Sequence, residues 1–300
     1  MTTRHALLVV SVLALGSLLT TPAWACSLHS AAPPVQENHD DRAELLLRGD
    51  HRNLRFGDGS SGTARLQEET LLLEGAFFLE NGLGIGAHLP LIRRQIELPN
   101  ESVQRLRGTG DLGLNLRFRR TAREGRLTVL AQAGALLPTA PFVDELQGRP
   151  VHPDLQLGTG VPVPVVGVAA GLKLRDDLSL LASTDFLWAP TSPDDVRRSA
   201  TLRLQPSLRW LPHRDLAIDL ALPLRWEART IVNQEADPAT GGLLQEVTPS
   251  IAWRPGVFHL QAGANLPVIQ LLRGHQRESP SLFLVAGLSI PFPEPPTALP

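Results

Sequence analysis

Charged side chains recur at alternate positions in several stretches of this 300-residue chain, opposite rows of large apolar residues. Between residues 216 and 228, Asp219, Arg225 and Glu227 alternate with leucine, isoleucine and tryptophan. Successive side chains of a β-strand point to opposite faces, so each such stretch has one apolar and one mixed polar face. Ionised groups at membrane depth are tolerated where they face water or one another. We therefore expect an inward-facing set that lines a lumen: Arg117, Arg119, Lys173, Asp185, Arg203, Arg209, Asp219, Arg225, Glu227 and Arg229.

This inward set is compatible with two roles, which the sequence leaves open. Charges of both signs can compensate one another and stabilise a filled barrel, or they can form a wet lining that selects solutes. On the predicted eighth and ninth strands, four arginines outnumber two carboxylates. The sequence therefore predicts a locally positive sector there that attracts carboxylate or phenolate groups: Arg203, Arg209, Arg225 and Arg229 against Asp219 and Glu227.

The remaining reactive residue types form no complete site. Cys26 and His29 have a spacing that can bind a soft metal, but with His39 they supply at most three ligands of a tetrahedral site. The sequence contains no nucleophile elbow and no phosphate-binding loop. A barrel enzyme such as an outer-membrane phospholipase would need a Ser–His pair on the lipid face, and the alternation provides none. We therefore predict no catalytic residue, metal or cofactor, and the 28 basic and 30 acidic residues indicate no nucleic-acid partner.

The elements that carry these residues are strands, because the apolar positions recur every second residue rather than every third or fourth. Short turns alternate with long connections along the chain, which is typical of bacterial barrels with short periplasmic turns and long external loops. The sequence predicts an all-β, antiparallel transmembrane β-barrel of about 12 strands: 43–56, 68–80, 83–96, 110–120, 126–138, 160–174, 178–190, 197–211, 216–232, 243–254, 257–270 and 281–292.

Three features refine this barrel. Aromatic residues fall outward near both strand ends, as two interfacial belts require, with Phe118, Trp210, Trp253, Phe258 and Phe292 on one side and Phe186, Trp188 and Trp226 on the other. Pro90, Pro138, Pro223 and Pro267 occupy similar phrases and predict bulges or ladder ends at one level, or strands shorter than drawn. Many inward positions are small, which favours a narrow passage.

The longest predicted loop runs from residue 139 to residue 159 and contains charged residues of both signs. Such a loop can fold inward as a constriction or lie outside as a cap, and the sequence does not decide between the two.

The two ends of the chain lie outside the predicted barrel. Residues 1–25 have the basic start, short apolar run and Ala23-Trp24-Ala25 pattern of a signal peptide. We expect residues 26–41 to be a flexible periplasmic leader that begins with Cys26, either lipidated or free. The barrel is expected at 42–292 and a proline-rich tail at 293–300. The expected location is the bacterial outer membrane, with membrane lipid and the barrel assembly machinery as partners.

Glycine-rich strand starts alternate with leucine–proline phrases, as in Gly108-Thr109-Gly110-Asp111 followed by 134–139 and 158–160. This order resembles the outer-membrane transporters named for the MetA pathway of phenol degradation, which are likened to long-chain fatty acid channels. The resemblance covers most of the chain from about Leu71 to Phe292. It implies a passive conduit for small aromatic or apolar compounds, and the predicted positive sector adds a preference for weakly anionic ones. The alternative is a non-conducting structural or interaction barrel.

Overall fold

A computed structural model describes residues 42–56, 63–79, 81–100, 102–122, 125–146, 148–151, 155–188, 190–191, 196–197, 199–232 and 234–291. The predicted signal peptide, the leader with Cys26, His29 and His39, the aromatic residue Phe292 and the tail lie outside these residues. No helix in the described part of the chain is long and apolar enough to cross a membrane.

The described chain is built from strands of two kinds, long wall strands and two-residue strands in the loops. The elements are β1 (Arg42–Phe56), β2 (Ala64–Phe78), β3 (Leu83–Glu97), β4 (Val103–Thr109), β5 (Leu112–Ala122), β6 (Leu127–Leu137), β7 (Glu145–Leu146), β8 (Arg149–Pro150), β9 (Val163–Arg175), β10 (Leu178–Leu187), β11 (Val196–Arg197), β12 (Thr201–His213), β13 (Leu216–Ala221), β14 (Leu224–Glu227), β15 (Ile231–Val232), β16 (Glu235–Ala236), β17 (Gly242–Trp253), β18 (Phe258–Leu272), β19 (Arg277–Glu278) and β20 (Ser281–Pro291).

The wall is a closed antiparallel barrel of twelve strands, as the sequence predicts. Each strand pairs with its neighbours in the chain, and β1 closes the wall by pairing with β20, for example Leu45 with Leu288. Three of the twelve strands are interrupted, so that β4 with β5, β13 with β14, and β19 with β20 each form one continuous course. Closure removes every free edge of the wall, which is the condition for a sheet to cross a bilayer.

The outward face is apolar along the part of the wall next to the short turns. Leu71, Leu73, Ile85, Leu91 and Leu116 are all exposed on it. The predicted aromatic residues Phe118, Trp210, Trp253 and Phe258 are exposed near the short turns, and Trp188 is exposed near the long loops. An apolar band between two aromatic levels fits a lipid-facing surface. In bacterial barrels the long loops face outward from the cell, and we name the two ends of the wall on this basis, with the short turns at the periplasmic end.

The four prolines lie at bulges or at strand ends, as the sequence predicts. Pro90 accepts the hydrogen bond of Gly110 where β3 changes its partner from β4 to β5, and Pro138 follows the end of β6. Pro223 lies between β13 and β14, and Pro267 lies beside a register shift between β17 and β18. Proline has no backbone donor, so it is tolerated where the ladder is already interrupted.

Some predicted boundaries are wrong at the outer end of the wall. The predicted loops 57–67 and 97–109 contain the start of β2 at Ala64 and the whole of β4. In these segments the outward residues are Arg65, Gln67, Arg105 and Arg107, while the inward row carries leucines. The polarity of the alternation is reversed because this part of the wall stands above the apolar band, so the apolar-outward pattern used for prediction does not extend into it. The predicted ninth strand is also too long, since β14 ends at Glu227.

Candidate functional site

The barrel interior brings most of the predicted inward residues together. Arg117, Asp185, Arg209, Asp219 and Glu227 are buried, and Arg203 and Arg225 stand half-buried on the same inward parity. Three predicted residues lie elsewhere or at the margin. Arg119 is half-buried with its guanidinium 4.7 Å from the centroid of the Phe78 ring, and Lys173 forms an ion pair of 3.2 Å with the exposed Asp176. Arg229 is exposed and follows the end of β14, so its predicted place in the lumen wall is wrong.

The periplasmic half of the interior contains a cavity of about 60 Å³ beside strands β12 to β20. On its wall, Arg209 donates two hydrogen bonds to Asp219, of 2.6 and 3.0 Å. Arg48 donates to Asp50 at 2.7 and 2.9 Å and stands 4.7 Å over the Phe283 ring. These bidentate contacts fix each guanidinium against the wall.

Two further nitrogen groups line this periplasmic cavity without such a partner. Nε of Arg254 and Nε2 of His259 are buried and have no hydrogen-bond partner among the described residues. A buried donor without a partner is costly unless water or a ligand satisfies it. Neither Arg254 nor His259 is in the inward-facing set predicted from the sequence. Arg254 lies at the inward edge of a short turn, and the histidine has no metal-ligand spacing that would mark it.

The middle of the interior holds a second, smaller cavity of about 30 Å³, lined by β2 to β10. Arg117 donates to Glu74 at 2.6 Å and to Asn115 at 2.7 Å, and Gln132 donates to Asp185 at 2.8 Å. His88 lies against this cavity, buried, with no partner for Nε2 among the described residues.

Glycines on the inward face make room for these side chains. A Cβ at Gly86 would come within 2.9 Å of the Arg117 Nε, and one at Gly167 would come within 2.8 Å of the Gln132 Nε2. A Cβ at Gly113 would overlap the ring of His88. The small inward residues therefore accommodate larger neighbours rather than leave a uniformly wide passage.

At the outer end of the interior, one carboxylate bridges distant parts of the wall. Glu278 accepts hydrogen bonds from Arg52 on β1 and from Arg225 on β14. Its own strand, β19, continues into β20, so Arg225 reaches past β17 and β18 to make this contact. Arg225 also forms a 2.8 Å ion pair with Glu227. We call Arg52, Arg225 and Glu278 the outer bridge.

The outer bridge lowers the net positive charge that the sequence predicts for the eighth and ninth strands. Arg209 is matched by Asp219, and Arg225 is matched by Glu227 and by Glu278. Glu278 lies in a segment predicted as a loop, so its contribution was missed. The positive charge of this sector is therefore smaller than the sequence predicts, because a carboxylate that is remote in the chain neutralises part of it.

The long connection between β6 and β9 folds into the barrel mouth. Val151, Leu155 and Leu157 are buried, and the first two pack against Leu66 and Ile96 on the inward face of the wall. This inward packing selects the constriction over the cap of the two arrangements that the sequence leaves open. We call the described residues of this connection, 138–146, 148–151 and 155–162, the inner loop.

Polar contacts hold both ends of the inner loop. Asp111, which is buried at the bulge between β4 and β5, accepts from the Thr159 backbone at 2.7 Å, from the Thr159 hydroxyl at 2.6 Å and from the Ala140 backbone at 3.1 Å. Gln156 exchanges two hydrogen bonds with the backbone of Val143, of 2.6 and 3.1 Å. The loop is therefore closed on itself, and the Asp111 carboxylate ties both of its ends to the wall.

One wall arginine reaches the tip of the inner loop. Arg94 donates to Glu68 at 2.6 Å and also to the backbone carbonyl of Gln156. Both side chains of this pair are buried, with 5% and 6% of their surface exposed. A buried charge without its partner is strongly destabilising, so Glu68 keeps Arg94 in place to hold the loop.

No group of three or more His, Cys, Asp or Glu side chains within the described residues could hold a metal ion. The arrangement consists of paired charges, two polar cavities and a folded-in loop. Such an interior can bind and orient small solutes or fill a barrel.

Comparison with known proteins identifies similar folds among solved structures but no similar sequences. No protein family matches the sequence, and no curated protein matches it. The structure is similar to that of a solved outer membrane channel from Pseudomonas putida F1, with a TM-score of 0.69 and 13% identity, covering 84% of this chain and 96% of that chain. A FadL homologue from Pseudomonas aeruginosa has a TM-score of 0.45 and 9% identity, covering 85% of this chain and 91% of that chain, and supports no argument.

The resemblance noted from the sequence is thus supported at the level of the barrel fold. The chain is a closed twelve-stranded β-barrel of the outer membrane.

Proposed function

We propose that this protein is a passive outer-membrane channel for small solutes, with the inner loop as its constriction. The observation that carries the proposal is the seating of this loop inside the barrel mouth by Asp111 and Arg94. A structural barrel has no need to draw a long connection into its lumen. The similarity in fold to a solved outer membrane channel supports the same reading.

The solutes that fit this interior are small, aromatic or apolar, and weakly anionic. The periplasmic cavity combines an apolar surface from Leu181 and Phe283 with three guanidinium groups and one carboxylate, those of Arg48, Arg209, Arg254 and Asp219. The unpartnered nitrogens of Arg254 and His259 are suited to receive a carboxylate or phenolate oxygen from a passing solute. The other predicted lumen residues, including Arg117, Asp185 and Arg203, would form the polar wall that guides it.

The alternative is a filled barrel with a structural or binding role. The charge pairing within the interior favours it, because the outer bridge and the Arg209–Asp219 pair stabilise the wall without any solute. This alternative differs from the channel in one property, the passage of solutes.

Solute entry into proteoliposomes separates the two. Vesicles that contain the folded protein are mixed with benzoate, benzyl alcohol or a disaccharide, and swelling is followed by light scattering. The channel predicts swelling with benzoate and benzyl alcohol that exceeds swelling with the disaccharide. Protein-containing vesicles that swell no faster than empty ones with any of the three would reject the channel and support the filled barrel.

A further inference from the structure

The outward face of the barrel carries exposed arginines just above the apolar band. On β2 the outward row changes from Leu73 and Leu71 to Glu69, Gln67 and Arg65. On β3 it changes from Leu91 to Arg93 at the same step of the ladder, since Leu71 lies opposite Leu91. This change marks the level at which the wall leaves the hydrocarbon region, where lipid headgroups begin.

Arginines on neighbouring strands face one another directly at two levels of the outer wall, one at Arg93 and one at Arg65, which lies four residues beyond Glu69 on β2. Arg55 on β1 is the ladder partner of both Arg277 on β19 and Arg65 on β2. Arg93 on β3 is the ladder partner of Arg107 on β4. Like charges directly opposite each other across a ladder are destabilising. We call these five residues the arginine rows.

Within the part of the chain that the structure describes, few carboxylates lie beside the arginine rows. Arg93 forms a 3.1 Å ion pair with Glu69, and Glu97 is the ladder partner of Arg65. The guanidinium groups of four of these arginines form no hydrogen bond or ion pair with any residue that the structure describes: Arg55, Arg65, Arg107 and Arg277. Among the described residues their charge is not paired, which suits them to bind an external anion.

A surface concavity of about 590 Å³ lies where the row of Arg93 and Arg107 meets the apolar band. Leu71 and Leu91 form its apolar part, and Arg93 and Arg107 form its charged part. An occupant must present an acyl chain toward the membrane and an anionic group just above it. Guanidinium groups bind phosphate with paired, charge-assisted hydrogen bonds.

We propose that the arginine rows and this concavity form a binding site for a phosphorylated glycolipid of the outer leaflet. The phosphates of the lipid bind Arg93 and Arg107 in one row and Arg55, Arg65 and Arg277 in the other, and its acyl chains lie along Leu71 and Leu91. The lipid relieves the repulsion within the rows and anchors the barrel at a fixed depth. This site is on the outside of the wall, so it does not depend on whether the lumen conducts.

The test measures binding of bisphosphorylated lipid A to the full-length protein in detergent, by native mass spectrometry across a lipid titration. The variant R55Q/R65Q/R107Q removes three arginines that have no partner among the described residues. The matched control R120Q/R126Q/R214Q removes three exposed arginines near the short turns. Heat-modifiable migration on gels verifies that each protein is folded.

We expect the R55Q/R65Q/R107Q variant to bind lipid A at least roughly tenfold more weakly, because each arginine near an anionic lipid surface contributes about fivefold. The control should bind within about twofold of the unaltered protein. Equal loss in both variants, or none in the first, would overturn the site.

Two further measurements use the unaltered protein, so they test the lipid site even if a variant misfolds. Dephosphorylated lipid A should bind at least roughly tenfold more weakly than the bisphosphorylated form. Inorganic phosphate at millimolar concentration should not displace the lipid. Equal binding of the dephosphorylated lipid, or full displacement by free phosphate, would show that no phosphorylated lipid site exists here.

Discussion

At the scale of single residues, the interior depends on carboxylates that serve more than one partner. Glu278 joins Arg52 and Arg225, and Asp111 accepts three hydrogen bonds from the inner loop. Arg52 and Glu68 could have been included in the predicted inward-facing set, because they lie at inward-facing positions of the predicted first and second strands. Glu278 could not, because it follows a segment without alternation, and its partner on β14 is distant in the chain.

Replacing Glu278 with glutamine should destabilise the barrel by about 3 kcal/mol, because Arg52 and the buried Arg225 lose the carboxylate that they share, and Arg225 keeps only Glu227. The midpoint of urea unfolding, followed by heat-modifiable migration, measures this change. The exposed Glu235→Gln variant is the control and should shift stability by less than about 0.5 kcal/mol. If both variants unfold at the same urea concentration, the outer bridge does not stabilise the wall.

Replacing Arg254 with glutamine should make the channel less selective for anions. The substitution removes a cation from the periplasmic cavity and leaves the Asp219 carboxylate in place. The reversal potential of the bilayer current under a KCl gradient reports this selectivity and should shift toward cation preference. Arg214→Gln, at an exposed turn, is the matched control. An unchanged reversal potential in the Arg254 variant would exclude this residue from the permeation path.

At the scale of elements, the sequence predicts the wall well where lipid dictates the pattern and poorly above it. Each of the twelve strands crosses the apolar band with leucines outward, which is why period-two alternation finds them all. Above the band, β4 turns Arg105 and Arg107 outward and Leu106 inward, so its pattern resembles a polar loop. The inner loop has no alternation, and its position depends on contacts with Leu66 and Ile96, which are remote in sequence.

Cysteine labelling of intact cells tests both the orientation and the position of the inner loop. In a Cys26→Ser background, Glu145→Cys should react with a membrane-impermeant maleimide, because Glu145 is exposed at the outer end. Leu157→Cys should react far more slowly, since Leu157 is 1% exposed. Val257→Cys, in a short turn, should react only after the outer membrane is opened. Labelling of residue 257 in intact cells would reverse the orientation, and rapid labelling of residue 157 would remove the loop from the lumen.

At the scale of the whole molecule, the closed barrel has three levels, which differ in the polarity of their outward and inward faces. The periplasmic level carries an aromatic belt outside and the Arg254–His259 cavity inside. The middle level is apolar outside and filled by paired charges inside. The outer level is basic outside and holds the inner loop and the outer bridge inside. In the proposed channel, passage through the molecule depends on whether the outer level opens, and opening depends on the inner loop.

The most direct test of the channel is single-channel conductance in planar bilayers, for the unaltered protein and for Asp111→Asn. The amide keeps the shape of the side chain but lacks one of the two acceptor oxygens that hold Thr159 and Ala140. We predict discrete current steps for the unaltered protein, and larger or longer steps for the variant, because its inner loop is less firmly tied to the wall. Absence of steps from both proteins, each shown to be folded by heat-modifiable migration, would contradict the channel and establish the filled barrel in its place.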